Sequence, residues 1–195
     1  MVLEQDTLEI FIKKMIDGNE EAMADFYDAT INRAYGIIIK IVLRPELAEE
    51  VVGDVYFQVW QQAERYNAER STPVGWLLMM CRSRALDKLR REKSATRNQY
   101  QENDQIEVED EQLEVPLDTV LGTELSMQMS EALNSLNRNQ RQTVTLAFYK
   151  GMTHQEISDY IGMPLGSVKS NINRAQAILR NSLSNDVFRV GEFYG

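Results

Sequence analysis

The chain holds 195 residues, 43% hydrophobic and 26% charged, with a formal net charge of −9. No apolar run approaches the roughly 18 to 20 residues that a membrane helix requires, and the amino terminus MVLEQDTLEIF lacks the basic-then-apolar order of a signal peptide, so a cytoplasmic protein without membrane insertion is expected. A single cysteine and a single histidine exclude an internal disulfide and a Cys/His metal cluster, and with no glycine-rich phosphate loop they leave few routes to a catalytic constellation: no enzyme and no cofactor is expected.

The acidity is not spread evenly. Residues 1–94 carry 13 basic and 16 acidic groups, net −3; residues 95–125 carry 1 and 9, net −8; residues 126–195 carry 7 and 5, net +2. Whole-chain charge therefore says little about the flanking parts, whose basic residues are locally clustered. The richness in Leu, Met, Ile, Gln and Arg, with four prolines, predicts an all-α fold.

From Leu8 the pattern is helical, with Leu8, Phe11, Ile12, Met15 and Ile16 spaced three and four apart until Gly18-Asn19 ends the element. Asn19 can cap the next helix, whose first turn carries Glu20 and Glu21 at the positive end of the dipole. That helix continues through Phe26, Ile31 and Tyr35 into Ile37, Ile38, Ile39, Ile41 and Val42. This run reads as a buried helix because no turn signal interrupts the long periodic segment. Arg44-Pro45 breaks it, and Pro45 suits the first turn of a third helix over Glu46–Gln62. There Leu47, Val51, Val55 and Val59 form a packing stripe, and Glu50, Asp54, Gln58 and Gln61 form a second, outward one. A polar turn, RYNAERSTP, precedes a helix starting near Val74.

In that helix Leu78, Cys81, Ala85 and Leu89 line one side, while Ser83, Arg84, Asp87 and Arg91 line the other, flanked by Lys88 and Arg90. Cys81 then acts as a small buried hydrophobe. Basic patches are a signal of low specificity, but Tyr66, Asn67 and Trp76 nearby add the stacking surfaces and amides needed to hold unpaired bases.

Periodicity fails between 95 and 123, where Asn, Gln, Asp and Glu dominate, so a flexible acidic linker is expected there. Helical spacing resumes at Leu125, Met129, Leu133 and Leu136, and a helix from about Asn139 to Lys150 ends at Gly151. The expected organisation is a first domain over 1–94, the linker over 95–123, a second domain over 124–186 and a tail over 187–195.

Met152 to Arg180 carries the sharpest signal. Thr153 can cap a helix containing Ile157 and Ile161, with Glu156 at the capping-box position, and His154 fits the start of that helix better than it fits a general base. Gly162-Met163-Pro164 makes a turn, and the following helix buries Val168, Ile172, Ala175 and Leu179. Ser167, Lys169, Ser170, Asn171, Asn173 and Arg174 are left outward, a mixture of hydroxyls, amides and cations suited to base edges and phosphates. This is a helix-turn-helix.

With these residues in view, the run from Gly18 to Arg91, with GNEEAMADFYD, AEEVVGDVYFQVW and WLLMMCRSRALDKLRR, resembles the promoter-melting domain of an extracytoplasmic-function (group 4, sigma-70 family) RNA polymerase sigma factor. NSLNRNQRQTVTLAFYKGMTHQEISDYIGMPLGSVKSNINRAQAILR is similar to that family's domain for the minus-thirty-five element, in the family's order. The resemblance implies core RNA polymerase as partner, through the β′ clamp helices and the β flap, together with promoter DNA and an anti-sigma factor. It assigns Glu50, Asp54, Gln58 and Gln61 to the clamp. Tyr66, Asn67 and Ser83 match positions that trap a flipped base of the minus-ten element, with Arg84, Lys88, Arg90 and Arg91 on phosphates and Asp87 completing that set. Ser167, Lys169, Ser170, Asn171, Asn173 and Arg174 fall to the minus-thirty-five major groove. Ser83 stands where Asn is common, Gly53 where Gln is usual, Asn171 and Asn173 where Arg and His are frequent, and Asn137 at a frequent Pro, where it can cap a helix instead. The acidic segment is expected to suppress unproductive DNA binding and, as in the family, to thread the polymerase channel. The rival reading is a stand-alone helix-turn-helix regulator, which would bind duplex DNA unaided, usually as a symmetric dimer.

Overall fold

The computed structural model describes residues 5–99 and 131–183, and every regular element among them is a helix. Helices α1 (Gln5–Ile16), α2 (Glu20–Val42), α3 (Pro45–Gln61) and α4 (Pro73–Gln99) form the first unit, with a 3-10 turn over Ala63–Arg65. The second unit opens on the helical residues 131–134 and continues with α5 (Arg138–Tyr149), α6 (His154–Ile161) and α7 (Leu165–Leu183).

Local chemistry fixes the boundaries. Gly18 takes φ +80°, and the Asn19 side chain accepts the Ala22 N–H at 2.8 Å, satisfying one of the donors that a helix start leaves unpaired. Helix α2 stops on Leu43, a left-handed residue at φ 58° that is 66% exposed, and α3 begins at Pro45, whose ring holds the preceding Arg44 extended. Proline also starts α4: Pro73 is its first residue, one before the expected Val74, because Thr72 accepts the Gly75 N–H through Oγ1 at 3.1 Å and thereby caps the helix. The helix then runs to Gln99, past the point where apolar periodicity stops.

Helix α2 is central, packing against α1, α3 and α4. That explains its isoleucine run: Ile37, Ile38, Ile41 and Val42 are all buried. Leu47, Val51, Val55 and Val59 meet them from α3, and Leu77, Cys81 and Ala85 from α4. Leu78 and Leu89, expected on the same face of α4, are only half-buried at the rim of this core, and Ile16, expected on the apolar stripe of α1, is 45% exposed. The buried polar pair is satisfied. Thr30 Oγ1 donates to the Phe26 carbonyl at 2.6 Å and so accepts from the Tyr56 hydroxyl at 2.8 Å. Burial raises the Tyr56 phenol and the Cys81 thiol well above their ordinary pKa, so the thiol is inert packing.

The second unit relies on caps because its core is small. Asn137 accepts from the Gln140 N–H at 2.9 Å while Gln140 Oε1 accepts from the Asn137 N–H at 3.0 Å, a complete capping box. Leu146, Ala147, Ile157, Val168 and Ile172 make the core, with Met152, Ile161 and Met163 packed around it. Ala132 and Leu136 are buried at the start of the unit; Leu125 and Met129, like residues 100–130 and the tail from 187, lie outside the described residues.

Candidate nucleic-acid interface

The first surface is built by the loop before α4 and by α4 itself. Asn67 folds the loop: its Oδ1 accepts the Glu69 N–H at 2.8 Å, and its carbonyl accepts from Arg70 and Ser71. Tyr66 is held as firmly. Its ring tilts against Trp76 with centroids 5.5 Å apart, and its hydroxyl lies 3.2 Å from Glu9 Oε1 and 3.1 Å from the Ser71 carbonyl. Desolvation, with the Glu9 carboxylate beside it, raises the Tyr66 pKa and keeps the phenol neutral. The exposed Asn67 surface and the Tyr66–Trp76 pair thus form a rigid shelf beside α4.

On α4 the outward residues do not form one open cationic face. Ser83, Arg90 and Arg91 are exposed, but Arg84 Nε donates to Gln58 Oε1 at 2.6 Å and the Lys88 ammonium pairs with Glu50. Arg90 lies 3.4 Å from Asp87, and Glu92 pairs with Arg44 at the start of α3. The structure therefore joins two residue sets assigned to different partners: Glu50 and Gln58, expected to face the polymerase, hold Arg84 and Lys88, expected to face phosphates. Asp54 and Gln61 remain exposed on α3. Between them stands Phe57, 63% exposed, on the stripe of positions 50, 54, 57 and 61. It is a large aromatic left in water on the same face as Glu50, Asp54 and Gln61.

The second surface is the helix-turn-helix. Thr153 Oγ1 accepts the Glu156 N–H at 3.2 Å and Glu156 Oε2 accepts the Thr153 N–H at 2.6 Å, closing the expected capping box. Gly162 ends α6 at φ +67°, where a side chain would be strained. The turn is then locked by Ser158, whose hydroxyl donates to the Met163 carbonyl at 2.6 Å. Val168, Ile172 and Ala175 are buried as expected, which forces Ser167, Lys169, Asn173 and Arg174 outward. Ser170 is half-buried, and Asn171 leans back, its Nδ2 lying 3.3 Å from Met163 Sδ, so it borders the turn instead of standing among the freely exposed residues.

Comparison with known proteins finds matches over both units. Residues 26–95 match the family described as Sigma-70 region 2, and residues 126–178 match Sigma-70, region 4. The ECF RNA polymerase sigma factor SigK of Mycobacterium ulcerans (strain Agy99) is 30% identical over 178 residues, covering 91% of this chain and 94% of that one. This chain belongs to the extracytoplasmic-function RNA polymerase sigma factors. SigK of Mycobacterium bovis (strain BCG / Pasteur 1173P2) is 29% identical over 176 residues, covering 90% and 93%. Among solved structures, CnrH in complex with the cytosolic domain of CnrY shares 17% identity at a TM-score of 0.40, covering 92% of this chain and 99% of that one.

The sigma factor also contains functional candidates that periodicity alone does not mark. Phe57 is one, hidden because an aromatic at helical spacing ordinarily reads as core. Arg82 is the other. It sits at the edge of the apolar face of α4, and its guanidinium reaches out of the first unit to the second, donating from Nε to the Phe148 carbonyl at 3.1 Å and from Nη2 to the Ala147 carbonyl at 2.9 Å. The available signal was Leu86, an apolar residue one turn further on, outside the stripe of Leu78, Cys81, Ala85 and Leu89, that calls for a covering partner. Among the described residues no cluster of His, Cys, Asp and Glu could hold a metal ion, and no helix is long and apolar enough to cross a membrane.

Proposed function

We propose that this sigma factor divides its work between three surfaces. The α3 stripe of Glu50, Asp54, Phe57 and Gln61 docks on the β′ clamp helices of core RNA polymerase. The shelf of Tyr66 and Asn67 with Ser83 of α4 receives an unpaired base of the minus-ten element, and Arg84, Asp87, Lys88, Arg90 and Arg91 line the strand's path. Helix α7 enters the minus-thirty-five major groove with Ser167, Lys169, Asn173 and Arg174, while Ser170 and Asn171 border the groove from the turn side. The β flap and an anti-sigma factor are further partners, and the chain acts in the cytoplasm as a non-catalytic initiation factor.

The observation that carries this reading is a complete, doubly capped helix-turn-helix on the same chain as a second helical core that presents its own polar and cationic helix. A stand-alone regulator has no need of the second element. The domain limits that fit this division are 1–94 and 124–186, joined by the acidic segment 95–123 and followed by the tail 187–195. Adding the purified protein to core RNA polymerase and mapping run-off transcripts on genomic promoter fragments tests it. Initiation at defined start sites that depends on the protein is expected, whereas sequence-specific duplex binding without polymerase, and no effect on initiation, would return the regulator reading.

A further inference from the structure

Helix α1 lies outside the stretch from 26 to 95 that matches Sigma-70 region 2, yet one of its side chains reaches the loop before α4. Leu8, Ile12 and Met15 are buried in the first core and hold the helix in place. Glu9, half-buried beside that stripe, faces the segment that follows the 3-10 turn, against which α1 packs. Its Oε1 lies 3.2 Å from the Tyr66 hydroxyl, 57 positions further along the chain. The apolar stripe already anchors α1, so this polar contact is not what packs the helix.

The hydroxyl has a second acceptor. Across the loop, the Ser71 carbonyl lies 3.1 Å from it. A phenol carries a single proton, and both distances exceed the about 2.7 to 2.8 Å usual for an O–H···O bond, as one proton shared between two acceptors requires. Desolvation, and then the Glu9 carboxylate, raise the Tyr66 pKa, so that proton stays in place. Of two acceptors, an ionised carboxylate takes the stronger bond. Tyr66 thus ties the loop to α1 first and closes it on itself second. The ring held in this way packs against Trp76 in the first turn of α4. The residue after it, Asn67, shapes the rest of the loop through the Glu69 N–H. The setting of the shelf therefore runs back to Glu9.

We propose that Glu9 is a positioning residue for the minus-ten site: by holding the Tyr66 hydroxyl it sets the angle of the shelf that receives the unpaired base, which gives α1 a part in promoter opening. This inference rests on the assignment of Tyr66, Asn67 and Ser83 to that base. Glu9 acts through Tyr66 and touches no DNA itself. A base leaving the duplex gives up its stacking, and only a surface already set at the right angle offsets that loss. Without the Glu9 carboxylate the Tyr66 proton still has the Ser71 carbonyl, so no donor is left unsatisfied and the fold keeps its stability. What changes is the anchor of the ring: the loop holds it alone, detached from α1.

The test uses the full chain as wild type, Glu9→Ala, Glu9→Gln, Tyr66→Phe, the double variant Glu9→Ala with Tyr66→Phe, and Ser83→Ala. Each is assembled with core RNA polymerase on a promoter found by run-off mapping. Permanganate reactivity of unpaired thymines reads opening, and gel retardation in the cold reads the closed complex. Glu9→Ala and Tyr66→Phe should each lower the opened fraction about five-fold, the effect of one hydrogen bond. For Glu9→Ala the closed complex and the melting temperature should hardly move, a split that loss of fold would not give. The double variant should be no worse than either single one, since both remove the same contact. Glu9→Gln should stay within about two-fold of wild type, because its amide oxygen still accepts the phenol proton. Opening at the wild-type level in Glu9→Ala overturns the proposal. So does a double variant that loses the product of the single effects, about twenty-five-fold. So does Glu9→Gln opening as poorly as Glu9→Ala, which would make charge the cause. If Tyr66→Phe fails to fold, Glu9→Ala against Glu9→Gln decides alone. The underlying assignment is judged separately: full opening in both Ser83→Ala and Tyr66→Phe removes the shelf and the role of Glu9 with it, whereas a loss in Ser83→Ala beside an unaffected Glu9→Ala removes Glu9 alone.

Discussion

Helices α4 and α7 both carry the cations proposed to meet nucleic acid, yet they are prepared for it in opposite ways. On α7, Lys169 and Arg174 stand exposed with no ion pair among the described residues, held in place by the buried stripe of Val168, Ile172 and Ala175. On α4 the cations are already engaged: Arg84 with Gln58, Lys88 with Glu50, Arg90 with Asp87, and Arg82 with the carbonyls of α5. A free cation gains from every phosphate it meets by releasing counterions, whereas an engaged one must exchange a partner first. On the proposed reading helix α7 is therefore ready to bind, and α4 is conditional on what happens to α3 and to the second domain.

The largest expected effect tests the support of α7. Ile157 is fully buried in a core of few residues, so Ile157→Ala should cost about 3 kcal/mol and melt the second domain ahead of the first in a calorimetric scan. A single transition shifted by a degree or so would show that α7 is held by something other than this core. Next comes the conditional side. Phe57→Ala should weaken binding to core RNA polymerase by about 2 kcal/mol, roughly thirty-fold in Kd, and leave the melting temperature almost unmoved, because the ring is exposed in the free protein. Equal affinity in a titration with labelled sigma factor would remove the α3 stripe from the docking surface.

The smallest effect separates the two helices most directly. Lys169→Ala should lower the log–log salt slope of duplex binding by about 0.9. Lys88→Ala should change the slope for single-stranded DNA by clearly less than the roughly 0.7 per phosphate expected there, since Lys88 trades Glu50 for phosphate. Glu50→Gln should restore the missing increment while altering stability by less than about 1 kcal/mol, as expected for a surface pair. Equal slopes for Lys88 and Lys169, each measured against its per-phosphate value, would mean that the pairing on α4 has no bearing on binding.

Much of this was legible in the residues. Asn19, Asn137 and Thr153 with Glu156 announced helix starts, Pro45 placed another, and Gly162-Met163-Pro164 located the turn, because caps and turns are decided by groups within a few residues of one another. The buried stripes of α3 and α7 followed from spacing for the same reason, except that Leu179, expected on the α7 stripe, is only half-buried. The α7 surface was legible too, as an outward face is whatever a stripe leaves over, although the lean of Asn171 onto Met163 depended on where the turn placed a sulfur. The conditional character of α4 was not. Glu50 and Lys88 are 38 positions apart, and Arg82 and Phe148 are 66 apart.

The amino-acid order by itself determined the helices, their ends, the helix-turn-helix and the likeness to a sigma factor, all of which rest on interactions within a turn or two of chain. Tertiary structure alone decided which charges were already spent on one another and where one domain would lie on the next. Such contacts depend on the distances between elements brought together from remote parts of the chain, and helical periodicity, which fixes only direction around an axis, carries no information about them.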